Sequence, residues 1–400
     1  MSRTKQIIII ALIILIGLGI GIYVYKNHFP APDMTPAEDD TIITVWYAED
    51  NALNTKIPDI VEKYNSIDDK SVRKNIIVKT RSFVDYDELE KALNFTSRSS
   101  RPDMIVCDVN HAAVLKNDGY TANLSGYSED WAVSEFNKDL VKSASVKNKM
   151  IALPFAADIE LMIVNTKSVS DAGGINSLEE LCAAAKDYYK DNSAPMISLG
   201  NYAKFFRTEM AQLGEDFDAV SPRDTKNEKC KYIYKLIAQC AFDRGMISSD
   251  EPVKSVIDGD IACAVASSSE IMAQASKLDK NIKIYPCPCI AGGKQVYALD
   301  VKCICVCKTD ESRQNASAKF LEWFSSPEVN SEFVGTGGYI PLRGSIGDIS
   351  TENAVFDKVT KVIMNLEDSA KHTNFAPNTE YVKNYNEFTD VMKLVMDSLS

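Results

Sequence analysis

Histidine is scarce in this 400-residue chain: only His28, His111 and His372 occur, and they lie far apart. That leaves little material for histidine-based acid–base catalysis. The motifs that mark common catalytic or phosphate-binding sites are missing too, with no GxSxG elbow, no HExxH pair and no phosphate loop; Gly292-Gly293-Lys294 resembles the last only superficially. No CxxC pair occurs, so a zinc site is not expected. Glycine (18) and proline (14) are too few for a fibrous or low-complexity chain, and 45% hydrophobic with 25% charged residues excludes disorder. Basic residues are outnumbered, 44 Lys+Arg against 56 Asp+Glu for a net charge of -12, which argues against nucleic acid as a partner. Paired acids at Asp68-Asp69 and Glu179-Glu180 read as solvated surface, although acids distant in the chain can converge in a fold. The expectation is a protein without catalytic residues, cofactor or metal.

What the chain does have begins at its start. Residues 7–25 contain no charge and are mostly Ile, Leu, Val and Gly. At about 1.5 Å per residue they reach roughly 28 Å, enough to cross a bilayer. Arg3 and Lys5 precede the run and Lys26 follows it, which favours a cytoplasmic N-terminus and an exported body. A cleaved signal would want small residues before its cut, whereas Tyr23-Val24-Tyr25-Lys26 is bulky, and the first Cys is Cys107, too late for a lipoprotein signal. Residues 1–26 are therefore read as a membrane anchor, with a cleaved signal as the alternative, and 27–40 as a proline-bearing tether. Ten Cys would suit disulfides in an exported chain. Cys303, Cys305 and Cys307 alternate with Lys302, Ile304 and Val306, however, so one strand would point all three thiols to one face, where they pack rather than bridge.

From Thr41 onward strand and helix signals alternate. Residues 42–47 are β-branched and aromatic, and Leu53, Ile57, Ile60, Val61 and Tyr64 follow at helical spacing. Strands are expected again at 75–80 and 103–107, with Asp85 and Glu88 capping the helix between them. A second group carries strands at 159–164, 261–266, 282–285 and 299–307. Its helices are expected at 202–213 and 228–242, with one after Ser177, and later helices at 311–324, 352–366 and 378–399. The alternation implies parallel sheets with helices on their faces and a binding edge at the carboxyl ends of the strands.

The order of segments resembles the maltose-binding-like extracellular solute-binding proteins. The opening Thr44-Val45-Trp46-Tyr47-Ala48-Glu49-Asp50 and its helix to Tyr64-Asn65 are similar to that family, as are Arg101-Pro102-Asp103-Met104-Ile105-Val106-Cys107-Asp108 and Leu115-Lys116-Asn117-Asp118-Gly119-Tyr120. So are Leu153-Pro154-Phe155-Ala156-Ala157-Asp158, the helix 318–329 with Trp323, and Gly337-Gly338-Tyr339-Ile340-Pro341-Leu342-Arg343. The resemblance covers about residues 41–400. It implies an α/β, two-lobe, periplasmic-binding-protein-like fold with an interlobe cleft. Lobe one would comprise 41–152 plus 291–338, and lobe two 153–290 plus 339–400. It further implies a monomer on the extracytoplasmic face of the bacterial membrane that hands a small solute, a sugar or oligosaccharide by preference, to ABC permease subunits. A membrane-tethered sensor without transport is the alternative role.

The loops after the strands and the crossings supply the expected ligand-binding residues. After the first strand come Trp46, Glu49 and Asp50, and after the third Asp108 and Asn110; each acid there could equally cap a helix. The first crossing offers Phe155 and Asp158, the second lobe Tyr202, Ser269 and Glu270, and later crossings Asp300, Tyr339 and Arg343. Glu270 stands where family members often carry Trp, so a sugar-stacking platform is missing. The acids Asp50, Asp108, Asp158 and Glu270 also suit a cationic or amine-bearing solute.

Overall fold

The structure, a computed structural model, describes residues 40–394 apart from 50–51, 74, 128–130, 170–174, 176, 216–225, 350–351, 370, 374–384, 386 and 393. The expected anchor and tether, and most of the expected last helix, lie outside the described residues. Among those described, no helix is long and apolar enough to cross a membrane.

The first half of the chain runs β1 (Thr41–Ala48), α1 (Ile57–Asn65), β2 (Ile76–Phe83), α2 (Tyr86–Phe95), β3 (Met104–Asp108), α3 (Val109–Asn117), α4 (Lys138–Ser143), the small hairpin β4 (Ser145–Val146) and β5 (Lys149–Met150), then β6 (Leu153–Asp158) and β7 (Glu160–Asn165). Next come α5 (Leu178–Asn192), β8 (Ile197–Leu199), α6 (Tyr202–Gln212), α7 (Glu228–Phe242), β9 (Met246–Ser248), α8 (Pro252–Asp258), β10 (Cys263–Ser267), α9 (Ser268–Ala273) and β11 (Ile282–Pro286). The late elements are β12 (Val296–Ala298), β13 (Asp300–Val306), α10 (Glu311–Phe324), α11 (Pro327–Val334), β14 (Ile340–Pro341), α12 (Ala354–Ser369) and β15 (Lys371–Thr373).

Two large sheets organise these elements. One has six strands in the order β14-β6-β13-β3-β1-β2, the other five in the order β11-β7-β10-β8-β9. Parallel pairs β1–β2, β1–β3, β8–β9 and β8–β10 come from the β-α units, whereas β13 and β7 enter antiparallel as the chain returns. Both sheets are covered on each face, as the apolar runs require. In the six-stranded sheet Ile43, Val45, Val106, Ile304 and Val306 pack into one core, and Trp46, Ile105, Cys303 and Cys305 into the other, following the two-residue side-chain period. All ten cysteines are free and nine are buried, and Cys107 Sγ lies 3.8 Å from Cys305 Sγ.

Helix starts are set by side-chain caps. Asp85 accepts from Glu88 N at 2.8 Å, Ser177 from Glu180 N at 3.1 Å, and Asn227 from Lys229 N at 3.0 Å. Buried polar groups tie helices to the first sheet. Thr44 N and Arg313 Nη2 donate to Asp103 Oδ2 at 2.8 and 2.7 Å, while Asn330 Nδ2 donates to Phe155 O at 3.0 Å and Asn330 Oδ1 accepts from Leu342 N at 3.0 Å.

The chain passes between sheets at short crossings. A single residue, Ile159, separates β6 from β7, and Ser268 N donates to its carbonyl at 2.8 Å. Ser268 Oγ in turn donates to Gly338 O at 2.6 Å beside the last crossing. Gly338 has φ +78°, and a Cβ there would meet Ser268 O at 2.6 Å, so the close approach needs glycine twice over.

Candidate functional site

The carboxyl ends of strands from both sheets meet around a cleft of about 660 Å³. On the six-stranded side, Asp108 ends β3 and caps α3. Its Oδ1 accepts from Asn110 N and His111 N at 2.8 and 3.0 Å, and its Oδ2 lies 2.7 Å from His111 Nδ1. Burial raises the Asp108 pKa, but the charge and hydrogen bond of His111 outweigh it and the carboxyl settles at about 2. The His111 ring also stacks on Tyr86, with centroids 3.7 Å apart.

Beside it in the sheet, Lys302 pairs in register with Asp108, and Asp300 pairs with Asp158. Like charges directly opposed on neighbouring strands repel, so both carboxylates need compensation. Lys302 Nζ donates to Asp300 Oδ2 at 2.9 Å, and Lys204 Nζ reaches the same oxygen at 2.6 Å from the first turn of α6. Burial pushes the Asp300 carboxyl up, yet these two ammonium groups overcome it and hold it far below the usual carboxylate range.

Asp158 differs. Its Oδ2 accepts from Ser269 Oγ at 2.6 Å, its Oδ1 is buried without a hydrogen-bond partner, and burial raises its pKa despite Lys204 and Lys302. Glu160, the first residue of β7, is buried as well, and burial pushes it up to about 8. The second-sheet wall is completed by Ser267 and Glu270 at the start of α9, where each side chain accepts from the other's backbone N–H, at 3.0 Å for Ser267 N and 3.2 Å for Glu270 N. Asn201 caps α6 by accepting from Lys204 N at 3.0 Å, and its amide donates to Tyr385 Oη.

Of the residues expected from sequence, the cleft gathers Asp108, Asp158, Ser269, Glu270, Asp300 and Tyr339. Others lie elsewhere. Trp46 is buried, 5.1 Å from the Phe83 ring and under the Arg81 guanidinium. Phe155 packs edge-on against Phe324 and Phe333, and Tyr202 is part of the second-sheet core. Glu49 is exposed and outside the lining, Asn110 is buried at the start of α3, and Asp50 lies outside the described residues. Arg343 serves the frame: Nε and Nη2 donate to Ser325 O and Trp131 O, each at 2.8 Å, and the guanidinium pairs with Glu135. Sequence reasoning missed Lys204, Lys302, His111, Tyr86 and Tyr385. A lysine in the first turn of a helix was the available signal for Lys204, because a cation is unfavourable at a helix N-terminus unless an anion holds it.

The model of the bacterial extracellular solute-binding proteins matches residues 59–358, more than half of the chain. The chain belongs to this family. The family comprises binding proteins rather than enzymes, and its extracytoplasmic setting applies to this member. No curated protein matches the chain by sequence. Solved structures show the same fold at low identity. A solute-binding protein of an ABC transporter from Agrobacterium radiobacter K84, in complex with ribitol, is 15% identical over 90% of this chain and 97% of its own, with a TM-score of 0.70. UgpB from Mycobacterium tuberculosis in complex with glycerophosphocholine is 14% identical over 90% and 100%, with a TM-score of 0.68. The cyclic alpha-maltosyl-1,6-maltose binding protein of Arthrobacter globiformis is 15% identical over 90% and 95%, with a TM-score of 0.67. In this solute-binding protein, as in those, the fold is α/β with two lobes.

Proposed function

We propose that this protein captures a small polar solute between its two lobes and passes it to the permease subunits of an ABC importer, working as a monomer held at the outer face of the membrane by residues 1–26. The observation that carries the reading is a single cleft whose polar lining comes from both sheets, so that a solute within it touches both and favours their closed arrangement. The expected division into 41–152 plus 291–338 and 153–290 plus 339–400 is better drawn with its first crossing at Ile159 and its last after Pro341, because β6 and β14 both pair within the six-stranded sheet. The ribitol bound by one neighbour and the cyclic maltosyl-maltose for which another is named favour polyhydroxylated solutes. The hydroxyl-binding groups here are Asp108, Asp158, Ser269, Asn201 and Glu270, with Tyr86 as the aromatic face.

A thermal-shift screen of the full chain against sugars and polyols tests this, because a ligand at about 100 times its Kd stabilises the native state by about 2.7 kcal/mol. Hits are expected to compact the protein in small-angle scattering. A broad panel that neither raises the melting temperature nor compacts the chain would sink the idea.

A further inference from the structure

The floor of the cleft holds more negative charge than its own lysines neutralise. Asp158, Glu270 and Asp300 converge there against Lys204 and Lys302, three acids and two cations, and the buried Glu160 feels the charge of all three acids. Both lysines are committed to one oxygen, Asp300 Oδ2, at 2.6 and 2.9 Å. Asp158 is only 3% exposed, lines the cleft, and offers Oδ1 with no hydrogen-bond donor of the protein in reach. Burying an unpaired carboxylate oxygen is unfavourable by about 1–3 kcal/mol, more when the group is charged, so this oxygen favours a donor that brings positive charge. A hydroxyl supplies only the donor; an ammonium or guanidinium supplies both.

We propose that the solute is an amine- or guanidine-bearing cation whose charged head is received by Asp158 Oδ1, with Glu160 and Glu270 beside it. This rests on the solute-binding reading and narrows it. The titration of Glu160 agrees with the geometry. Burial pushes Glu160 up to about 8, with Glu270, Asp158 and Asp300 raising it further and Lys204 lowering it. Tyr385, in the helical segment near the end of the described chain, also interacts with this group. At neutral pH a proton therefore stands on Glu160 where the solute's charge would otherwise serve. A cation that replaces the proton binds more tightly as pH rises toward that value, releasing a proton as it binds.

Matched pairs test the proposal on the full chain: glucamine against sorbitol, and butylguanidine against butylurea, each followed by calorimetry from about pH 6 to about pH 8.5. The charged member of at least one pair is expected to bind at least about tenfold tighter than its neutral counterpart, with affinity rising about tenfold over the range and proton release into the buffer. Asp158→Asn is expected to erase the preference for charge, and Glu160→Gln to keep it while flattening the pH dependence. Each variant is checked first for an intact unfolding transition. Neutral members that bind as tightly as charged ones would overturn the proposal and leave the solute-binding reading standing. Failure of both charged probes also overturns it, and if no sugar or polyol binds either, the broader reading falls with it.

Discussion

The two sheets treat their buried acids in opposite ways. In the six-stranded sheet, apart from Asp158 at the cleft, each buried or partly buried carboxylate has a cationic partner: Asp103 has Arg313, Asp108 has His111, and Asp300 has Lys204 and Lys302. The five-stranded side keeps Glu160 buried, and Glu209 of α6 fully buried with neither carboxylate oxygen hydrogen-bonded, and burial raises both pKa values. One half of the molecule stores charge and the other stores protons. Stability in the first half should fail in acid, and in the second should erode toward alkaline pH.

The largest effect should come from breaking a pair in the first half. Arg313→Ala leaves Asp103 fully buried beside Thr44 without its cation, and is expected to lower unfolding stability by about 3–5 kcal/mol in urea titrations. A loss below about 1 kcal/mol would mean that the pairing contributes little, and the contrast between the halves would blur.

Next in size is Glu209→Gln. An acid with a raised folded-state pKa contributes most below its unfolded value and loses that contribution as pH rises, so the wild type should weaken from the ordinary glutamate range upward. The variant carries no such titration and is expected to gain about 1–3 kcal/mol relative to wild type near pH 8, with little difference near pH 4. Parallel pH profiles for the two proteins would show that Glu209 does not carry the difference.

The smallest effect concerns Asp108, the half-exposed member of the paired set. Its folded-state value of about 2 lies below that of an ordinary aspartate, so the stability it contributes is present above about pH 4 and lost as pH falls toward 2. His111→Ala is expected to remove about 1–2 kcal/mol above about pH 4 and to leave a flatter acid limb, as read by guanidinium denaturation. An unchanged acid limb would make the His111 contact incidental.

How much of this was legible in the sequence depends on the range of the interactions. Caps and strand alternation act within a few residues, so Ser177 before α5, Asp85 before α2 and the single-faced Cys303, Cys305 and Cys307 could be read directly. Asp108 presented two local possibilities, helix cap or ligand contact, and the fold uses its two oxygens for different partners while leaving it at the cleft. Phe155 and Trp46 were expected at the cleft, yet their side chains turn into the cores, because one residue of register decides which face a strand residue serves. Lys204 carries a local signal only in its place in the first helical turn, and Lys302 carries none. Asp300 lies two residues from Lys302 on β13 but 96 residues beyond Lys204, on the other sheet, so only the crossings bring Lys204 to it.

That last contact has a consequence for binding. Lys204 belongs to a helix of one sheet and Asp300 to a strand of the other, so the protein supplies an internal occupant for part of its own cleft. An internal occupant sets a threshold. A solute that engages Asp300 has to compete with that contact first.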